Sequence, residues 1–245
     1  MRIHVEETPK KLIAVFADWI INYIGKVLMH QEIFTWAISG GNSPKQLYEL
    51  LAQSPASDKI LWKQLHIFFG DERYVSFDDI RNNGKMAYDA LLSKVPIPPD
   101  QIHYMRTDIK LEDSVAAYKK ILHDYFDTEK NSFDLVLLGM GDNGHTLSIF
   151  PESPLVAEKA KWVSGCYVEE QQMERITLTA PIVNKASQIA FLVTGENKAA
   201  MVKKVIEGAF TPDQYPAQLI KPDTGELHWF LDLAAASESD RSKIM

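Results

Sequence analysis

The chain has 245 residues, 46% of them hydrophobic and 24% charged, which suits an ordinary globular protein with a sizeable core. A net charge of -7 with no lysine/arginine block speaks against broad nucleic-acid binding, yet leaves room for an anionic small ligand at a local positive site. The one cysteine, Cys166, rules out an intrachain disulfide and suits a reducing compartment, where a buried inert thiol is expected.

The first residues, MRIHVEETPKK, carry no apolar signal core. Ile13, Phe16, Ile20, Ile24 and Val27 then recur at helical spacing, interrupted by Asp18, Asn22 and Lys26. Residues 12–29 therefore read as an amphipathic surface helix and not as a membrane span, and a soluble, cytoplasmic protein is expected. FTWAIS (34–39) reads as a buried strand, followed by a helix over 44–53 with Ser43 as N-cap and Pro44 at its first position. LHIFFG (65–70) is a second strand, and residues 83–92 and 112–126 carry helical apolar spacing. VPIPPDQ (95–101) is a Pro-rich connection too short to be an interdomain linker. FDLVLLG (133–139) is a third strand, RITLTA (175–180) alternates like a half-exposed strand, and QIAFLVTG (188–195) is again buried. A helix over 198–208 and the strand LHWFLD (227–232) close the pattern.

Short apolar strands alternating with helices imply βαβ units, hence an α/β fold with a doubly wound, mostly parallel sheet covered on both faces. One domain over 1–236 with a polar tail over 237–245 is expected. In such sheets ligands bind beyond the carboxyl ends of the strands, so the residues just after each strand are the place to look for chemistry.

After the first strand, SGGNSP supplies Gly40, Gly41, Asn42 and Ser43 ahead of a helix N-terminus. Glycines let backbone approach a ligand closely, and free N–H groups with the helix dipole favour an anion. These residues alone fit a phosphate cradle and a plain capped turn equally. After the second strand, GDERYV brings Asp71 and Arg73 to the crevice edge, where an aspartate orients a partner and an arginine binds phosphate or an oxyanion; a solvated loop has the same sequence. After the third strand, GMGDNGH has the glycine spacing of a dinucleotide fingerprint, Gly139, Gly141 and Gly144, but Pro151 and Pro154 fall where its helix must run. That context excludes a nicotinamide loop and leaves His145 at a strand end, able to reach a ligand and titrate near neutrality. The other six histidines show no ligand spacing with it, so no metal and no cofactor are expected. Arg175 and Lys198, at later strand ends, are ordinary surface charges singly and phosphate cations if the loops converge.

Together, AISGGNSPKQLYELL, IFFGDERYV with NNGKMAYDALL, FDLVLLGMGDNGHTLSIFP, RITLTAPIVNKA, FLVTGENKAAMVKKVIEG and GELHWFLDLAAA resemble the 6-phosphogluconolactonase family, in order and through most of the chain. The resemblance implies a Rossmann-like fold without nicotinamide, shared with glucosamine-6-phosphate deaminases and related to ribose-5-phosphate isomerases. It implies hydrolysis of a phosphorylated sugar lactone in the oxidative pentose phosphate pathway. It places Gly40, Gly41, Asn42 and Ser43 on the phosphate side and Arg73, beside Asp71, at the reaction site. It makes His145 the general base, with Arg175 and Lys198 near the phosphate. Backbone N–H groups between Gly141 and Gly144 are further candidates for the oxyanion. The family usually has DGH where this chain has NGH, so Asn143 offers a hydrogen bond to the histidine but no charge, and Asp142 is a candidate to compensate. Two rivals share the fold: a deaminase-type isomerase, whose GFNEP continuation is absent here, and a non-catalytic sugar-phosphate sensor.

Overall fold

A computed structural model describes residues 1–126 and 132–240. Ten strands and six α-helices occur among them. Seven strands form one parallel sheet, in the order β1 (Arg2–Glu6), β10 (Glu226–Asp232), β9 (Gln188–Val193), β6 (Leu135–Leu138), β2 (Phe34–Ile38), β3 (Leu65–Phe69) and β5 (Ile102–His103). The strands β4 (Asp71–Arg73), β8 (Met173–Leu178) and β7 (Val163–Val168) make a separate antiparallel sheet. Every residue of β2 and of β6 is buried, so both faces of the parallel sheet are covered there. The α/β, mostly parallel architecture expected from the alternation is the one observed.

The helix α1 (Pro9–Leu28) begins where the Thr8 hydroxyl accepts from Lys11 N–H at 3.3 Å, with Pro9 in the first turn. It buries Leu12, Ile13, Phe16, Ala17, Ile20, Ile21 and Ile24, each such side chain contributing about 1.5–3 kcal/mol for the larger residues. Phe16 packs on Phe230 of β10 with ring centroids 4.2 Å apart. The edge strand β1 was not legible in the sequence, because Arg2, His4 and Glu6 make it polar. It forms because its backbone pairs with β10, from Arg2 opposite His228 to Glu6 opposite Asp232.

RITLTA departs from expectation. Arg175, Ile176, Thr177 and Leu178 are all buried, and their strand lies outside the parallel sheet. Alternation signals one wet face, but here the polar face of β8 turns onto other protein, including Asp71. The remaining helices are α2 (Asn42–Leu51), α3 (Asn83–Ala87), α4 (Leu111–Tyr125), α5 (Ala180–Val183) and α6 (Ala199–Glu207). No helix among the described residues is long and apolar enough to cross a membrane. Of the expected polar tail, residues 241–245 lie outside the described residues, and Asp240 N–H donates to Glu207 at 2.8 Å.

Candidate active site

The parallel sheet winds in two directions. From β2 the chain moves outward to β3 and β5, and from β6 it moves the other way to β9 and β10. Neighbouring β2 and β6 therefore flank the topological switch point, where their following loops part and leave a crevice. A cleft of about 500 Å³ opens there.

Two buried tyrosines hold the strand ends that deliver residues to this cleft. The Tyr48 hydroxyl donates to Ser39 O at 2.7 Å and accepts from Ser39 N–H at 3.0 Å, closing β2. The Tyr118 hydroxyl does the same for Phe69, at 3.1 and 2.8 Å, closing β3. Each satisfies backbone groups that the sheet no longer pairs.

Beyond Ser39, Gly40 and Gly41 line the cleft with Asn42 and Ser43. A Cβ on Gly40 would lie 1.9 Å from Asn83 Oδ1, so glycine is required for the close approach of that side chain. Gly41 has φ +107° and is itself the cap of α2. The helix thus starts two residues before Pro44, and Ser43 is not its N-cap. The Ser43 hydroxyl instead lies 2.8 Å from Thr194 Oγ1, beyond β9. The first N–H groups of α2 lack intrahelical acceptors and carry the positive end of the helix dipole.

Asp71 and Arg73 stand on β4, not in a solvated loop. Asp71 is 8% exposed; it accepts from Ser148 Oγ at 2.7 Å and lies 3.6 Å from Arg175 Nη1. Glu72 between them is structural: it accepts N–H bonds from Arg73, Asn83 and Gly84, each at 2.7 Å, which anchors the start of α3. Burial pushes its carboxyl up to about 7, against the pull of those three donors. Arg73 and Arg175 are directly opposed in the β4–β8 ladder, and both line the cleft. Like charges so placed repel, so the pairing favours an anion between or beside them. Arg175 is 4% exposed, and burial, with Arg73 alongside, holds its guanidinium below the usual arginine range. One Arg73 nitrogen donates to Arg81 O at 2.7 Å, and one of Arg175 donates to Gln171 Oε1. Among the described residues the buried Nε of each has no hydrogen-bond partner.

The loop after β6 is a tight turn. Gly141 N–H donates to His145 O at 2.8 Å and Gly144 N–H to Gly141 O at 3.1 Å, so both donors are committed and are unavailable to an oxyanion. Gly144 (φ +81°) does not line the cleft; a Cβ there would lie 3.0 Å from Met201 Sδ. Gly141 does line it, and its missing side chain makes room for the imidazole, since a Cβ would fall 2.1 Å from His145 Nδ1. Phe150 stacks on the imidazole at 4.1 Å between centroids.

Asn143 does not line the cleft either; it grips His145 from behind. Its Oδ1 lies 2.6 Å from Nδ1 and accepts from His145 N–H at 3.2 Å. The backbone donor settles which amide atom faces the ring: an oxygen, which can only accept. Nδ1 therefore carries the proton, and Nε2 keeps its lone pair on a ring that lines the cleft. Burial pulls the imidazole down to about 4, with Lys198 and Arg175 pushing the same way and Asp71 and Asp142 opposing. Asp142 does not take Asn143's place. Its carboxylate pairs with Lys198 Nζ and accepts from Asn197 Nδ2 at 3.2 Å.

The cleft thus gathers ten of the residues singled out in the sequence, leaving Asn143 and Gly144 outside its lining. Sequence reading missed Asn83, Gln171, Thr194 and Asn197 in the lining, and Phe150 and Ser148 behind it. Asn83 had a local signal in NNGK, and Thr194 and Asn197 had one in TGENK. Cys166 is half-buried beside this site, its Sγ 3.7 Å from Ser148 O, and burial pushes its thiol up to about 11. Among the described residues no three His, Cys, Asp or Glu side chains gather as a metal site.

A Rossmann-like α/β protein with one imidazole and three cations around a switch-point cleft is of the class that handles small anionic substrates. The chain belongs to the family of glucosamine-6-phosphate isomerases/6-phosphogluconolactonase, whose model matches residues 7–229. It is 38% identical over 244 residues to the 6-phosphogluconolactonase of Nostoc sp. (strain PCC 7120), covering 97% of this chain and 99% of that one. The 6-phosphogluconolactonase structure from Trypanosoma brucei superposes with a TM-score of 0.86 at 27% identity, covering 96% and 97% of the two chains. A monomeric glucosamine-6-phosphate deaminase shares the fold at a TM-score of 0.83 and 18% identity, covering 97% of this chain and all of that one.

Proposed function

We propose that the chain hydrolyses 6-phospho-D-glucono-1,5-lactone to 6-phospho-D-gluconate, the lactone step of the oxidative pentose phosphate pathway, with His145 as general base. The observation that carries this reading is the anchored imidazole, Nδ1 held by Asn143 and Nε2 free, in a cleft that also holds Arg73, Arg175 and Lys198. Similarity to named lactonases over nearly the whole chain supports the choice of substrate.

In this mechanism the phosphate sits against the Gly40–Gly41 turn and the N-terminus of α2, with Arg175 and Lys198 as counter-charges. That anchorage holds the lactone carbonyl beside His145. Nε2 takes a proton from water as the water oxygen bonds to C1. The resulting oxyanion is met by Arg73, which lines the cleft, since the N–H groups of Gly141 and Gly144 are committed within their own turn. The C1–ring oxygen bond then breaks, and the imidazolium returns the proton to the ring oxygen; the new carboxylic acid ionises in water. A bound phosphate also offsets the cations that depress the imidazole, so the base strengthens when substrate is present.

The test follows lactone loss against its spontaneous background, with ammonia release from glucosamine 6-phosphate assayed in parallel. His145→Ala is expected to lose about 10²–10⁴ in kcat with KM little changed. Ammonia release would select the deaminase chemistry, binding without turnover the sensor, and a wild-type kcat in His145→Ala would remove the base assignment.

A further inference from the structure

We infer that Glu170, on the turn between β7 and β8, is a positioning residue for His145 and acts through Asn143. This rests on the reading of His145 as the base.

The contact is on the far side of the amide. Asn143 Nδ2 donates to Glu170 Oε2 at 3.3 Å, while Oδ1 serves the two donors of His145. Carboxylate, amide and imidazole thus form a relay. An amide oxygen orients a ring but adds no negative charge to stabilise the imidazolium formed during the reaction. A carboxylate one hydrogen bond further out polarises the amide and supplies that charge at a distance. It also opposes a flip of the amide, which would present NH₂ to two donors and oxygen to Glu170.

The two carboxylates that act on the ring directly, Asp71 and Asp142, are already matched. Asp71 is committed to Arg175 and Ser148, and Asp142 to Lys198 and Asn197. The cations Lys198 and Arg175 act against protonation, and Phe150 and Gly141, packed on the ring, are uncharged. Glu170 forms no ion pair among the described residues, so its charge is not cancelled by a partner.

An exposed glutamate ordinarily samples many rotamers, but this one stands on a tethered turn. The short turn Glu169–Gln171 is closed by Gln172, at φ +48°, whose side chain donates to Glu169 O at 2.9 Å. The next residue along, Gln171, accepts from Arg175. One turn therefore reaches both the base, through Glu170 and Asn143, and the buried cation, through Gln171.

The test compares kcat, KM and the NMR titration of His145 in wild type, Glu170→Ala, Glu170→Gln, Asn143→Asp and the Asn143→Asp/Glu170→Ala double variant. Glu170→Ala is expected to lower kcat roughly two- to tenfold, the range of one hydrogen bond, with KM little changed and the His145 midpoint lowered. Glu170→Gln, which keeps an acceptor without charge, should recover part of the rate but not the midpoint. In the Asn143→Asp background, a carboxylate already faces Nδ1 and Glu170 becomes a repelling neighbour. Removing Glu170 there should cost nothing or raise the rate. An unchanged kcat and midpoint in Glu170→Ala would overturn the inference, as would the same loss in both backgrounds. Full activity in His145→Ala would overturn the base reading alone, since the His145 midpoint in Glu170→Ala tests the relay without turnover.

Discussion

Acidification is the sharpest probe of the His145 environment. Burial places the imidazole midpoint at about 4 in the free enzyme, against 6.5 for an ordinary histidine. At pH 5.5 a group titrating at 4 is about 97% neutral, whereas one titrating at 6.5 is only about 9% neutral. Between pH 7.5 and 5.5 the fraction of competent base should thus fall by a few per cent, not about tenfold. The direct assay is NMR titration of the His145 ring, assigned by its loss in His145→Ala. The kinetic counterpart is kcat/KM, divided by the fraction of substrate with a dianionic phosphate, which itself titrates near pH 6. A midpoint near 6.5 with a roughly tenfold corrected rate loss at pH 5.5 would refute the claim that burial sets the state of this base. Stability carries a related sign. His103, His145 and His228 are all pulled down to about 4 by burial, so between pH 6.5 and 4 the unfolded chain binds protons that the fold does not. Their contribution is complete above about 6.5 and is lost as pH falls towards 4; Glu72, raised to about 7, opposes them below that pH, but three groups outweigh one, so urea melts at pH 7.5 and 5 should register a lower midpoint in acid.

Gly141→Ala should fold yet lose about 100-fold or more in kcat, because the new methyl occupies the position of the imidazole; circular dichroism with kinetics separates the two effects, and wild-type kcat would contradict the packing described. Tyr48→Phe leaves Ser39 N–H and O without their partner and should cost about 1–3 kcal/mol in denaturant unfolding. Lys198→Ala should raise KM several-fold with kcat and melting temperature nearly unchanged, since its ion pair is with the exposed Asp142; an unchanged KM would remove it from the phosphate site. Glu72→Gln should destabilise by about 1–3 kcal/mol, because the amide oxygen can still serve Arg73 and Asn83 N–H while its NH₂ replaces the oxygen that accepts from Gly84 N–H.

The α/β class and most of the parallel strands could be read from the residues alone, because fully buried strands appear as unbroken apolar runs and α1 shows its helical stripe plainly. The residues also argued against a dinucleotide loop at GMGDNGH, since prolines act locally on the backbone. What the polar residues do depends on how the elements pack. The sequence gives no sign that Arg73 and Arg175, 102 positions apart, face each other in one ladder, or that Ser43 leaves its helix cap for Thr194. Nor does it show that Asp142 turns to Lys198 while Asn143 takes the ring, or that Glu170 stands behind Asn143. Apolar burial leaves a periodic trace along the chain because each element has one buried face. A hydrogen-bonded site leaves none, because its partners meet only where separate strands and turns end in the same crevice.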